Sequence, residues 1–110
     1  VIMNRAADKR YPGEICDVVT QGQTYRWKPE LPIKHRCQFS FWCDGRSDEP
    51  KDKEAYGKAV FLSGQILNAD LPDPTEGSTH YHATSVLPDW AVSKTAIARI
   101  NNHIFYRWER

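Results

Sequence analysis

The sequence has no apolar run near the roughly 20 residues that a membrane-spanning helix needs. It has no excess of one charge. Lys and Arg number 15 against 14 Asp and Glu, a formal net charge of +1, which leaves no basic face of the kind nucleic-acid binding uses. It lacks a glycine-rich phosphate loop, a Gly-x-Ser-x-Gly nucleophile elbow, a Cys-x-x-Cys pair and a His-Glu-x-x-His pattern. Each absence removes a class: nucleotide-dependent transfer, α/β-type serine hydrolysis, and the common zinc scaffolds. There are no internal repeats and no low-complexity tracts. Cysteine is scarce and odd in number, 3 in 110 residues, so at most one pair can close within the chain. No cofactor is expected.

The length suits one domain with one modest core, and the hydrophobic share of 40% is ordinary for a globular domain. The richest stretch is Cys37-Gln38-Phe39-Ser40-Phe41-Trp42-Cys43-Asp44-Gly45. Two cysteines bracket three aromatic residues and two small polar ones, and Asp-Gly supplies a turn signal. Aromatic faces with amide and hydroxyl groups between them suit a sugar or peptide groove. The same alternation also suits a short strand with one buried face. Four tryptophans in so short a chain point to rings in a groove or at the surface.

Taken in order, Val1-Ile2-Met3-Asn4-Arg5-Ala6-Ala7-Asp8 opens on apolar residues with no cap ahead of them. It reads as the end of a helix that begins upstream, so residues 1–110 are expected to be one domain shortened at its N-terminus. A short helix is expected over 13–21, with Ile15, Val18 and Val19 on one face, Gly22 closing it and Cys16 as a small core residue. Residues 23–36, with Pro29 and Pro32 and several basic side chains, read as an irregular solvated loop. A long helix is expected from 47 to 67, started by Ser47-Asp48-Glu49-Pro50. Ala55, Ala59, Leu62 and Ile66 give it an apolar stripe that should back the core. Near the end, Asn101-Asn102 between two β-prone runs predicts a hairpin. The fold class is therefore α+β, with two or three helices and a small antiparallel sheet.

His80 and His82 sit two apart, so on a strand they share a face. That could serve zinc, with Cys37, Cys43 or His35 completing the set. It could equally serve stacking and hydrogen bonding in a groove. Cys37 with either histidine would make a thiol–imidazole pair only if Cys37 were free. Cys37 and Cys43 are close enough in sequence to bridge, and Cys16 with either one is the alternative pairing. Among the acids, only Asp44, Glu76 and Asp89 lie close to the aromatic or histidine segments, and none has the apolar surround of a raised-pKa general acid.

Read together, several segments resemble one family. Val1-Ile2-Met3-Asn4-Arg5 is similar to the V-I-L-N-R segment of SleB/CwlJ-type cell wall hydrolases. Tyr11-Pro12, followed by Ile15-Cys16-Asp17-Val18-Val19, resembles their F/Y-P-x-x-I-C-x-V-V segment. Cys37-Gln38-Phe39-Ser40 with Cys43-Asp44-Gly45 resembles the C-Q-F-S…C-D-G block. Gly77-Ser78-Thr79-His80-Tyr81-His82, then Pro88 and Trp90, resembles the G-A-T-x-Y/F-Y/H…P-x-W block. Ile100 to Phe105 resembles the closing I-G-x-H-x-F, with asparagine in place of glycine.

The resemblance implies a small lysozyme-like α+β domain that cleaves the glycan strands of peptidoglycan, in some members as a lytic transglycosylase. It implies a periplasmic or extracellular location, where a Cys37–Cys43 disulfide would persist. The family's catalytic glutamate belongs to a segment upstream of V-I-L-N-R, so no residue here inherits that role and the chain alone is expected to be inactive. What carries over is groove lining: Gln38, Phe39 and Ser40 from one block, and Thr79, His80, Tyr81 and His82 from the other. Two rivals remain, a carbohydrate-binding module without chemistry and a small zinc protein built on His80 and His82. An uncovered face beside Val1 would also favour pairing with a second copy.

Overall fold

A computed structural model describes residues 1–109. The class is α+β. Helix α1 (Ile2–Ala7) is followed by α2 (Ile15–Val19), strands β1 (Gly22–Tyr25) and β2 (Lys28–Cys37), helix α3 (Lys53–Leu67), and strands β3 (His80–Ala83), β4 (Thr95–Ile100) and β5 (His103–Arg107). Single 3₁₀ turns at Ser40–Trp42 and Asp89–Ser93 lie before α3 and β4. The main sheet is antiparallel in the order β3-β5-β4, so β3 is an edge strand. Its register pairs His80 with Tyr106 and Ala83 with His103. The β4–β5 turn is Asn101-Asn102, with Asn101 at φ 51°, a left-handed geometry that asparagine tolerates.

Residues 23–36 are not a loop. They form most of a second antiparallel pair, β1 with β2, in which Thr24 faces Pro32 and Tyr25 faces Lys28. The prolines are accommodated because the pairing is irregular and, among the described residues, the ribbon has no further strand beside it. Gly22 opens β1 rather than closing a helix. A Cβ there would lie 2.8 Å from the Cys37 Cα and 2.9 Å from the Arg36 carbonyl oxygen. Its small size is what lets the two strands touch.

The core is small. Val18 is fully buried, and Phe39, Cys43, Ala91 and Tyr106 complete its apolar part. Helix α3 starts later than expected, at Lys53. Asp52 caps it by accepting a hydrogen bond from the Ala55 N–H at 3.0 Å, so Ser47-Asp48-Glu49-Pro50 is connecting chain. Nor does α3 back the core: none of its residues is buried, and Phe61 is 67% exposed. Cys16 is an exposed free thiol rather than a core residue.

Candidate functional site

Arg5 organises the site. It lies at i+3 from Ile2 on a short helix and is only 5% exposed. Its Nε donates to the Thr79 carbonyl at 2.7 Å and its Nη1 to Gln38 Oε1 at 3.1 Å. The guanidinium also stands 4.8 Å from the Tyr11 ring centre and 5.1 Å from that of Phe39. One side chain thus ties α1 to the segment entering β3 and to the block after Cys37. Asn4 reinforces the tie by donating to the Ser78 carbonyl at 2.9 Å and to Asp73 Oδ2 at 2.8 Å.

Above Arg5 opens a cleft of about 540 Å³, lined by Arg5, Cys37, Gln38, Ser40, His80, Tyr81 and Trp90. The residues 37–40 and β3 therefore meet on one cleft. Cys37 and Cys43 are joined, with Cα atoms 6.2 Å apart, which closes the loop that carries Gln38, Phe39 and Ser40. Cys37 is thus no free thiol partner for a histidine. Strand alternation sends His80 and His82 toward Trp90, with ring centres 5.1 and 5.7 Å from it. Tyr81 points the other way, stacking on Phe105 at 5.9 Å and leaning on Phe39 at 6.4 Å. Behind Tyr81 and Phe39 a second hollow of about 340 Å³ is lined by Val1, Ile2, Phe41, His103 and Phe105.

Gln38, Ser40, His80 and Tyr81 line the cleft. Phe39, Thr79 and His82 are buried behind it. Thr79 shares a 2.9 Å hydrogen bond between its hydroxyl and His80 Nδ1. His82 Nδ1 lies 2.8 Å from the Ala83 carbonyl, an acceptor only, so this nitrogen carries the proton. Its Nε2 then accepts from the Tyr106 hydroxyl at 2.8 Å. With both nitrogens engaged and the nearby sulfurs joined, His82 is not presented to a metal. No cluster of three or more His, Cys, Asp or Glu suited to a metal exists among the described residues.

Electrostatics in the cleft are one-sided. Burial lowers the His80 pKa to about 4, and the positive charges of Arg5, Lys94 and Arg10 act in the same direction. The imidazole is therefore neutral at neutral pH. Burial likewise lowers the Arg5 pKa. Of the acids near the aromatic and histidine segments, Asp44 accepts from the Arg46 N–H at 2.9 Å. Glu76 sits exposed at φ 49° and Asp89 opens a 3₁₀ turn. None of the three lines the cleft.

In the sequence Arg5 and Trp90 stand out only as parts of the matching segments. Arg5 had a signal of its own. An arginine one turn from an apolar residue on so short a helix shares the face that packs inward.

A family model described as Cell Wall Hydrolase matches residues 1–106. The chain belongs to the cell wall hydrolase family. Every residue lining the cleft falls inside the match. No match was found to a curated protein or to a solved structure. Family membership supports a hydrolytic role at the cell wall, with peptidoglycan as the general substrate.

Proposed function

We propose that the cleft binds the glycan strands of peptidoglycan in a lysozyme-like manner and serves glycosidic cleavage of the lytic transglycosylase type. The observation that carries the reading is the meeting of 37–40 with β3 on one cleft, in a chain of the cell wall hydrolase family. In this reading Tyr81 and Trp90 stack on sugar faces. Gln38, Ser40 and His80 hydrogen-bond ring substituents, while Phe39, Thr79 and His82 hold them in place. The disulfide supports a periplasmic or extracellular setting. The apolar ground beside Val1, where Ile66, Leu71 and Pro72 line a hollow of about 400 Å³, supports pairing with a second copy.

In the transglycosylase reaction a carboxylic acid protonates the glycosidic oxygen as the C1–O bond breaks. The resulting carboxylate takes the proton of the muramic 6-hydroxyl as that oxygen attacks C1, giving a 1,6-anhydro product. The lining described above contains no carboxylate. No residue of this lining can act as that acid, and we expect this chain to bind glycan without cutting it. The same observation favours a second reading, a carbohydrate-binding role without chemistry.

Incubation with purified peptidoglycan sacculi, followed by mass analysis of released muropeptides, tests both. Retention on sacculi with no release is the expected result for the isolated chain. Anhydro-muropeptides released by the isolated chain would put the acid within these residues, and Asp44, Glu76 and Asp89 would be replaced first. Absence of any retention would overturn the glycan reading.

A further inference from the structure

Arg5 is a buried cation at the floor of a cleft, and it has no acidic partner among the described residues. Its hydrogen bonds go to the Thr79 carbonyl and the Gln38 amide oxygen, and its ring contacts to Tyr11 and Phe39. All of these are neutral. Its Nη2 carries no hydrogen bond to any described residue. The guanidinium edge that makes no hydrogen bond faces the open cleft, where an anion can meet it.

The groups beside it are set to donate. Of the two ends of a side-chain amide only the oxygen accepts, so Gln38 turns its oxygen to Arg5 and its NH₂ away from it. Gln38 is exposed and lines the cleft, so that NH₂ is available to a ligand. Lys94 and Arg10 add positive potential at the neighbouring His80. Asp8, the acid nearest Arg10 in the chain, pairs with Arg10 at 2.7 Å.

We propose that the cleft takes a carboxylate of its ligand, held by the free edge of the Arg5 guanidinium and the Gln38 side-chain NH₂. The site rests on the glycan-binding reading only for the source of that carboxylate. Peptidoglycan carboxylates that fit include the lactyl carboxylate of a muramic acid stripped of its peptide and the terminal carboxylate of a stem peptide. Either turns Arg5 from an uncompensated charge into one half of a charge-assisted pair.

The test is an NMR titration of the whole chain at low ionic strength, where such pairs are least screened. N-acetylmuramic acid is compared with its methyl ester, and D-alanyl-D-alanine with its C-terminal amide. In at least one pair the acid should bind about tenfold tighter or better, the scale of a charge-assisted hydrogen bond. The Gln38 side-chain amide and the His80 ring should move in that titration. Preference for N-acetylmuramic acid assigns the lactyl source, and preference for the dipeptide assigns the peptide source. Equal binding of acid and neutral partner in both pairs overturns the proposal.

Gln38→Glu is a second arm that leaves the buried Arg5 in place. It supplies an internal carboxylate and should erase the preference, whereas a preference that persists in it counts against the site. N-acetylglucosamine oligomers separate the two readings. An acid preference without oligomer binding keeps the carboxylate site and ends the glycan reading. Oligomer binding without an acid preference does the reverse.

Discussion

Asp73 and His80 make the fold sensitive to acid in two steps. Asp73 accepts from the Thr75 N–H and hydroxyl, from Asn4 and from the Gly77 N–H, all within 2.8 Å. Burial by itself would raise its pKa, but the hydrogen bonds outweigh it and hold the carboxyl well below the usual carboxylate range. Below about pH 4 the unfolded chain takes up a proton that the native Asp73 refuses, so stability falls as pH drops through that range. His80 acts earlier. Its native pKa is about 4 against an ordinary 6.5, so between those values the unfolded state binds more protons and acidification again destabilises. Urea melts from pH 7.5 to 3 should show stability falling first between 6.5 and 4, then further below 4. His80→Gln should flatten the first leg and Asp73→Asn the second. A wild-type curve flat from 7 to 4.5 would mean that His80 is not held neutral. Removing the Asp73 side chain altogether should also loosen α1, because Asn4 and two backbone N–H groups lose their acceptor, at a cost of about 1–2 kcal/mol.

Among the elements, those stabilised by local signals were the legible ones. The Asn101-Asn102 turn and its flanking β-prone runs name the β4–β5 hairpin, and the Ile15, Val18, Val19 face names α2, whose Val18 is fully buried. The β1–β2 ribbon was not legible. Pro29 and Pro32 argue against a strand, and what overrides them is non-local, the contact of Gly22 with Cys37. Helix α3 was legible as a helix but not in its role. Periodicity reports that a face is apolar, not what covers it. The cleft was half legible: the blocks holding Gln38 and His80 could be named, but their junction through Arg5 depends on contacts 33 and 74 residues apart. The contrast between α2 and α3 is testable. In the monomer Val18→Ala should cost about 1.5–3 kcal/mol, whereas Leu62→Ala on the exposed α3 should change stability by less than about 0.5 kcal/mol. At concentrations that keep the chain monomeric, hydrogen exchange should find α3 amides protected far less than those of β5, since a 15-residue helix without packing is marginal in water. Equal protection of α3 and β5 would mean that α3 is covered in solution.

Across the whole molecule the accessible surface is 8528 Å² for 12.7 kDa. A compact monomer of that mass is expected to expose roughly 6,200 Å². The radius of gyration tells the same story, 15.2 Å against about 13 Å for a compact chain of this length. Among the exposed large apolar side chains are six on α3, Tyr56, Val60, Phe61, Leu62, Ile66 and Leu67, followed by Leu71. A standard interface buries roughly 800 Å² per partner. So many exposed apolar side chains on one helix are unusual on a monomer, so α3 and the hollow beside Val1 should pair with the same face of a second copy. Sedimentation velocity from about 1 to 100 μM, the range in which interfaces of this size begin to close, should show a monomer–dimer equilibrium, with the thermal midpoint rising with protein concentration because association stabilises the folded state. The double substitution Val60→Glu and Leu67→Glu should hold the chain monomeric, since both residues are more than half exposed and a charge there costs the monomer little but the interface much. A wild-type chain that stays monomeric with an unchanging midpoint would mean that this face is not closed by a second copy. A dimer that survives both glutamates would move the interface off α3.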